Sequence, residues 1–104
     1  MGTLAANRMA RVKDVRVKND TLTVDLEDGR SVSVPLAWYP RLQHGSPRAR
    51  NTWRAAGSRQ GIHWPLLDED LSVEGILAGR RSAEGAESFT RWLKTHSKRQ
   101  RSPA

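Results

Sequence analysis

Thr21-Leu22-Thr23-Val24-Asp25-Leu26-Glu27-Asp28-Gly29-Arg30-Ser31-Val32-Ser33-Val34-Pro35 alternates apolar and polar residues on both sides of an Asp-Gly pair. Leu22, Val24 and Leu26 fall on one side of an extended chain and Thr23 and Asp25 on the other, the period of a strand with one buried face. Asp28-Gly29 signals a hairpin, because both central residues of a type I′ turn need φ > 0. Val32 and Val34 resume the alternation, and Pro35, with no N–H to donate, stops it. Upstream, Val15 and Val17 alternate with charged residues before a turn at Asn19-Asp20. A three-stranded antiparallel β-meander is therefore expected from Val12 to Pro35.

Beyond Pro35 the period changes. Trp38, Tyr39 and Leu42 suit a short helix closed by Gly45. Ser46-Pro47 reads as an N-cap followed by the first helical position, where proline's fixed φ is already suitable. The spacing predicts a helix from there to about Ala56 that places Trp53 on its apolar face, with Gly57 as its stop. Ile62-His63-Trp64 reads as one further short strand, and Asp68-Glu69-Asp70 as a solvated acidic turn before a helix. Ser72 caps that helix, expected over Val73 to Ala78, and Gly79 ends it. After a linker from Arg80 to Gly85, residues 86–97 carry Ala86, Phe89, Trp92, Leu93 and His96 along one helical stripe. The expected fold class is α+β, a three-stranded antiparallel β-meander plus short helices and a C-terminal helix. Residues 1–10 form a flexible extension, 11–79 a compact domain, and 80–104 a basic linker and helix.

A chain of 104 residues has room for one modest core, burying roughly two-thirds of the surface that the unfolded chain exposes. No segment approaches the roughly 18 apolar residues that span a bilayer, and the N-terminal residues lack the apolar core of a secretory signal. The absence of cysteine excludes disulfides, thiol nucleophiles and Cys-ligated zinc. A cytoplasmic protein is expected. The net charge of +7 is unevenly spread. Arg80, Arg81, Arg91, Lys94, Lys98, Arg99 and Arg101 face only Glu84 and Glu87 in the C-terminal segment. Arg41, Arg48, Arg50, Arg54 and Arg59 occur in a stretch with no acid, whereas Asp68, Glu69, Asp70 and Glu74 occur together with no base. Such segregation favours long-range attraction between the basic segments and an acidic partner.

Few residues suggest chemistry. His63 with Asp68, Glu69 and Asp70 forms a metal or acid–base site only if the side chains converge. If instead His63 alternates along a strand and the acids cap the next helix, they form none. No Gly-x-Ser-x-Gly elbow is present, and Gly57-Ser58-Arg59-Gln60-Gly61 lacks the Gly-Lys-Ser/Thr of a phosphate loop. No catalytic residue, metal or cofactor is expected. Four tryptophans are many for this length. Trp38, Trp53 and Trp64 suit the core, while Trp92 either folds back on the body or waits for a partner.

The β-meander, Trp38-Tyr39-Pro40-Arg41-Leu42, Trp53, and Gly61-Ile62-His63-Trp64-Pro65 followed by Asp68-Glu69-Asp70-Leu71-Ser72-Val73 together resemble the bacterial domain-of-unknown-function family numbered twenty-four forty-two. The resemblance covers residues 11–80 and departs from the family pattern at Ala56-Gly57-Ser58-Arg59-Gln60. It implies a compact α+β domain, often encoded beside a second small protein in pairs proposed to be toxin–antitoxin modules. On that basis the expected function is a non-enzymatic interaction and regulatory module, the antitoxin-like member of such a pair. Arg48, Arg54, Phe89, Trp92 and Leu93 are the candidate contacts to a small protein partner. The alternative is a DNA-binding transcriptional regulator using Arg50, Arg59, Arg91, Lys94 and Lys98. A second copy of the chain is another possible partner, and a ligand or hydrolytic site at His63 ranks third. No membrane association is expected.

Overall fold

Among the described residues, six strands form two three-stranded antiparallel sheets around one core. The computed structural model describes residues 10–100, with side chains as far as residue 96. Residues 1–9, most of the expected extension, lie outside the described residues, whereas Ala10 is buried.

The first sheet is the expected meander, ordered β1 (Val12–Lys18), β2 (Thr21–Leu26) and β3 (Ser31–Pro35). Leu22, Val24 and Leu26 point into the core, as their spacing requires. Val12 and Val15 are both buried although three residues apart, which a regular strand forbids. The pairing register shifts between Val12 and Asp14, so a bulge at Lys13 returns both valines to the inner face. Outside, Arg16 holds Asp25 through two hydrogen bonds of 3.0 and 3.2 Å, and Thr23 pairs with Ser33 at 2.8 Å. That face is polar throughout.

The two hairpin turns exchange the expected roles. Asn19 and Asp20 have φ of 51° and 62°, the two left-handed residues of a type I′ loop between the paired Lys18 and Thr21. Across β2 and β3 the loop has three residues, Glu27-Asp28-Gly29, closed by Leu26 N–H donating to Arg30 O at 2.8 Å. Only Gly29 is left-handed there (φ 96°), so the Asp-Gly pair forms a glycine-ended loop rather than a type I′ turn.

A 3₁₀ turn, Leu36–Trp38, leads into α1 (Pro40–Gln43) and α2 (Pro47–Asn51). Ser46 caps α2 by accepting the Ala49 N–H at 3.1 Å. The expected helix to Ala56 stops at Asn51. The Arg50 carbonyl, which would bind the Arg54 N–H in a longer helix, instead accepts the Trp64 indole N–H at 3.0 Å. Residues Arg54–Ala56 become β4, which pairs with β5 (Gly61–Trp64).

Of the acidic run, Asp68 lies in the expected exposed turn, whereas Glu69 and Asp70 belong to a strand. β6 (Glu69–Ser72) pairs with β5 in the register Trp64↔Glu69, His63↔Asp70, Ile62↔Leu71. Thus the single further strand expected from the sequence is the middle of a second sheet, β4-β5-β6. Ser72 then caps α3 (Val73–Leu77) through the Gly75 N–H at 2.9 Å. Gly79 (φ 75°) closes it, with Arg80 N–H on Gly75 O and Gly79 N–H on Ile76 O, the two bonds of a Schellman motif. The sheets are joined at the β4–β5 loop. Val12 N–H donates to Arg59 O and Arg59 Nε to Val12 O, both at 2.8 Å.

The last helix, α4 (Ala86–Gln100), lies against this body. Trp92 is buried in the common core and its indole N–H donates to Leu67 O at 2.7 Å. Phe89 and His96 stack on either side of it, with centroids 5.6 and 4.9 Å away. Of the two fates open to Trp92, folding back is the one observed. No helix among the described residues is long and apolar enough to cross a membrane.

Two substitutions test this core. Val24→Asp puts an unpaired charge at a fully buried position, a cost of several kcal/mol against a total stability of roughly 5–15, and should leave the protein unfolded in circular dichroism. Trp92→Ala should cost about 3–5 kcal/mol, read as a lowered urea midpoint. A wild-type midpoint would show that α4 merely rests on the body.

Candidate functional site

Cations decide what this surface can bind, and most of those in the arginine-rich stretch already have intramolecular work. Arg50 Nε donates to Leu42 O at 2.8 Å and its Nη2 to Gln43 O, satisfying carbonyls at the end of α1. Arg59, besides its bond to Val12 O, pairs with Glu27 at 3.2 Å. Arg91 pairs with Glu87 one turn earlier at 3.3 Å. Arg41 is half-buried and takes Glu84 in a two-pronged ion pair, Nε to Oε1 at 2.8 Å. Of the five residues expected to meet nucleic acid, Arg50 and Arg59 are thus tied to backbone carbonyls, while Arg91 keeps an exposed ion pair on the surface of the last helix. Lys94 is exposed, and the Lys98 side chain lies outside the described residues.

Arg48 and Arg54 differ. Both are exposed, and neither makes an ion pair with another described residue. Arg48 is on α2 and Arg54 on β4, with half-buried Trp53 between them in sequence. Of the other contacts expected with a partner, Trp92 is in the core, and Phe89 and Leu93 are half-buried against it. Of the residues expected to meet a partner, the two arginines are therefore exposed, and the apolar ones pack inward.

His63 and Asp70 face each other across β5 and β6 with Nδ1 and Oδ1 2.7 Å apart. The other two acids do not join them. The backbone oxygen of Asp68 accepts from Arg41 Nη1 at 2.7 Å, and Glu69, opposite Trp64, is on the inner face of the sheet. Among the described residues no three His, Asp or Glu side chains converge as metal ligands do.

Glu69 instead borders a cleft of about 290 Å³ between β6, α3 and the linker after Gly79. Desolvation raises its carboxyl pKa to about 7; the Asp70 N–H, at 3.2 Å, and the Arg41 charge pull the other way, and Glu84 and Asp70 add to the rise. Tyr39 also lines the cleft, its hydroxyl donating to Arg80 O at 3.0 Å and its pKa raised by burial and by Glu69. Sequence reasoning missed this site. The clue was alternation: if residues 69–72 form a strand with Leu71 facing inward, Glu69 must face inward too.

A pH dependence follows. In the unfolded chain Glu69 ionises near 4.5, but in the folded protein only near 7, so the folded state binds the proton more tightly. Stability contributed by this carboxyl is therefore lost as pH rises from about 4.5 to about 7. Allowing for its partial contact with water, the loss is on the order of 1–3 kcal/mol. Glu69→Gln should remove that slope and raise the melting temperature at pH 8 more than at pH 5. Equal effects at both pH values would show that the carboxyl ionises normally.

No curated protein matches the chain. Among solved structures it is similar to a protein of unknown function from Rhodospirillum rubrum, with 28% identity over 72% of this chain and 93% of that one and a TM-score of 0.63. An uncharacterised protein from Chromobacterium violaceum shares the fold at 19% identity, over 89% of this chain and 82% of that one, with a TM-score of 0.64. Residues 12–82 match the family described as protein of unknown function DUF2442. That span runs from the first strand of the meander through both sheets to the linker after α3, and the chain belongs to this family.

Proposed function

We propose that the protein is a non-enzymatic interaction and regulatory module, the antitoxin-like member of a bacterial two-protein pair. The observation that carries this reading is the pair of exposed arginines, Arg48 and Arg54, left without an acidic partner among the described residues on either side of half-buried Trp53. Arginine and tryptophan are the residue types that anchor protein interfaces. The stretch from Arg41 to Arg59 contains no acid, so it suits a partner with an acidic surface. Binding there masks that partner sterically and requires no chemistry from this chain. From α4, the exposed Arg91 and Lys94 contribute long-range steering, and Trp92 contributes through the fold instead of through contact.

The basic C-terminal segment favours a second reading, a DNA-binding regulator. It is the weaker one, because Arg50 and Arg59 are engaged within the chain. Salt separates the two readings. Binding through phosphates weakens linearly in log salt, with a slope near one per phosphate contact, whereas a protein interface with two charged anchors loses much less affinity over the same range.

The test is co-purification with the product of the neighbouring gene, followed by calorimetric titration. Arg48→Glu with Arg54→Glu should weaken that complex at least tenfold and leave the melting temperature within a few degrees of wild type. Unchanged affinity in the double variant would remove Arg48 and Arg54 from the interface. Tight, steeply salt-dependent binding to duplex DNA would put the regulator first.

A further inference from the structure

The Glu69 cleft is built differently from a solvated acidic patch. Glu69 Oε1 accepts the Asp70 N–H, and no described residue donates to its other oxygen. Every side-chain oxygen and nitrogen shut off from solvent among the described residues has a partner, so that second oxygen keeps contact with solvent, and Glu69 lines the cleft. The one nearby cation on the inner side, Arg41, is committed to Glu84 and to Asp68 O. Asp70 and Glu84 add negative charge around the same point. Arg80 and Arg81 line the same cleft, Arg81 lying over the Trp38 ring at 4.8 Å from its centroid, but Arg41 is the cation whose charge acts on the Glu69 carboxyl. The cleft thus holds a half-buried carboxylate with an acceptor site still open, in a space near the lower end of ligand clefts.

We propose that this cleft binds a cationic group, a primary ammonium or a guanidinium on a short alkyl chain, with Glu69 as its charge partner. The cation donates to the open Glu69 oxygen and replaces the solvation that the carboxylate loses by facing inward. Leu71 and Ile76, which line the cleft, supply apolar surface for the alkyl stem. Such a group arrives either as a small free amine or as a Lys or Arg side chain of another protein. The site does not involve Arg48 or Arg54 and stands independently of the interaction surface proposed there.

Binding also carries a pH signature. Ionised Glu69 is the form that pairs with a cation, and its carboxyl titrates at about 7. Affinity should therefore rise about tenfold between pH 6 and pH 8. Tyr39, Asp70, Glu84, Arg41, Arg80 and Arg81 are the other titratable or charged groups around the cleft. The experiment titrates the full chain with agmatine and, separately, with a blocked Gly-Arg-Gly peptide. It follows the backbone amide shifts of Asp70, Gly75 and Ser82 by NMR. Saturable binding of agmatine identifies a small amine as sufficient, and binding of the peptide alone identifies a protein side chain; either supports the proposal. Glu69→Gln should weaken it at least tenfold, while Lys18→Glu, at the exposed end of β1, should leave it unchanged. Absence of saturable shifts with both probes, or wild-type affinity in Glu69→Gln, overturns it.

Discussion

Arg41 joins three segments that are far apart in sequence. Its guanidinium grips Glu84 before α4, donates to the Asp68 carbonyl in the β5–β6 turn, and lies 5.7 Å from the centroid of the Trp92 ring. The Glu84 side chain is only 8% exposed, so both charges have lost much of their hydration. An ion pair of this kind contributes little net stability, yet losing one partner strands the other, a cost of about 3–5 kcal/mol. Ser88 adds a hydroxyl donor to Glu84 at 2.8 Å, which offsets part of the desolvation. The Glu84 carboxyl is accordingly held below the ordinary glutamate range, first by its hydrogen bonds from Arg41. The interaction sets position more than it sets stability. It places the linker where Trp92 can reach Leu67.

The same commitment explains the state of Glu69. Arg41 is close enough to favour the ionised form, but its donors are directed elsewhere and burial outweighs the attraction. A carboxyl that loses more water than a single backbone hydrogen bond replaces keeps its proton to higher pH. One arginine therefore both anchors the last helix and leaves a neighbouring acid uncompensated. The pinning of the tail and the character of the cleft are two results of one allocation of hydrogen bonds.

Allocation also governs the basic surface. Arg50 and Arg59 are close in sequence to Arg48 and Arg54 and have the same chemistry, yet the first two satisfy backbone carbonyls and the others do not. Arg59 has a particular burden, since Gly57, Ser58 and Arg59 all adopt left-handed conformations at φ of 55–64°. For the two non-glycine residues this costs roughly 1–2 kcal/mol each. The reciprocal bonds with Val12 and the ion pair to Glu27 hold the turn in place and tie the second sheet to the first. Val73 N–H on Gln60 O ties the same turn to the start of α3.

The sequence by itself determined those elements whose signals are local. Alternation in Leu22, Val24 and Leu26 specified the inner face of the meander, Ser46 and Ser72 specified two helix starts, and Gly79 specified a helix end, because each depends on neighbours within a few residues. The family was legible in the aromatic and acidic motifs for the same reason. Tertiary structure alone decided the rest. The helix after Ser46 is cut short by an indole from a strand fourteen positions from the carbonyl it binds. Glu69 and Asp70 became part of a strand because Ile62 to Trp64 offered them an edge, and that register turned Glu69 inward. Trp92 lay on an apolar stripe with no stated destination until Leu67 O and the Arg41 pair supplied one. Which arginines remain free for a partner is likewise a question of which carbonyls the folded chain leaves unsatisfied, and those carbonyls are positioned only when both sheets and the last helix are together.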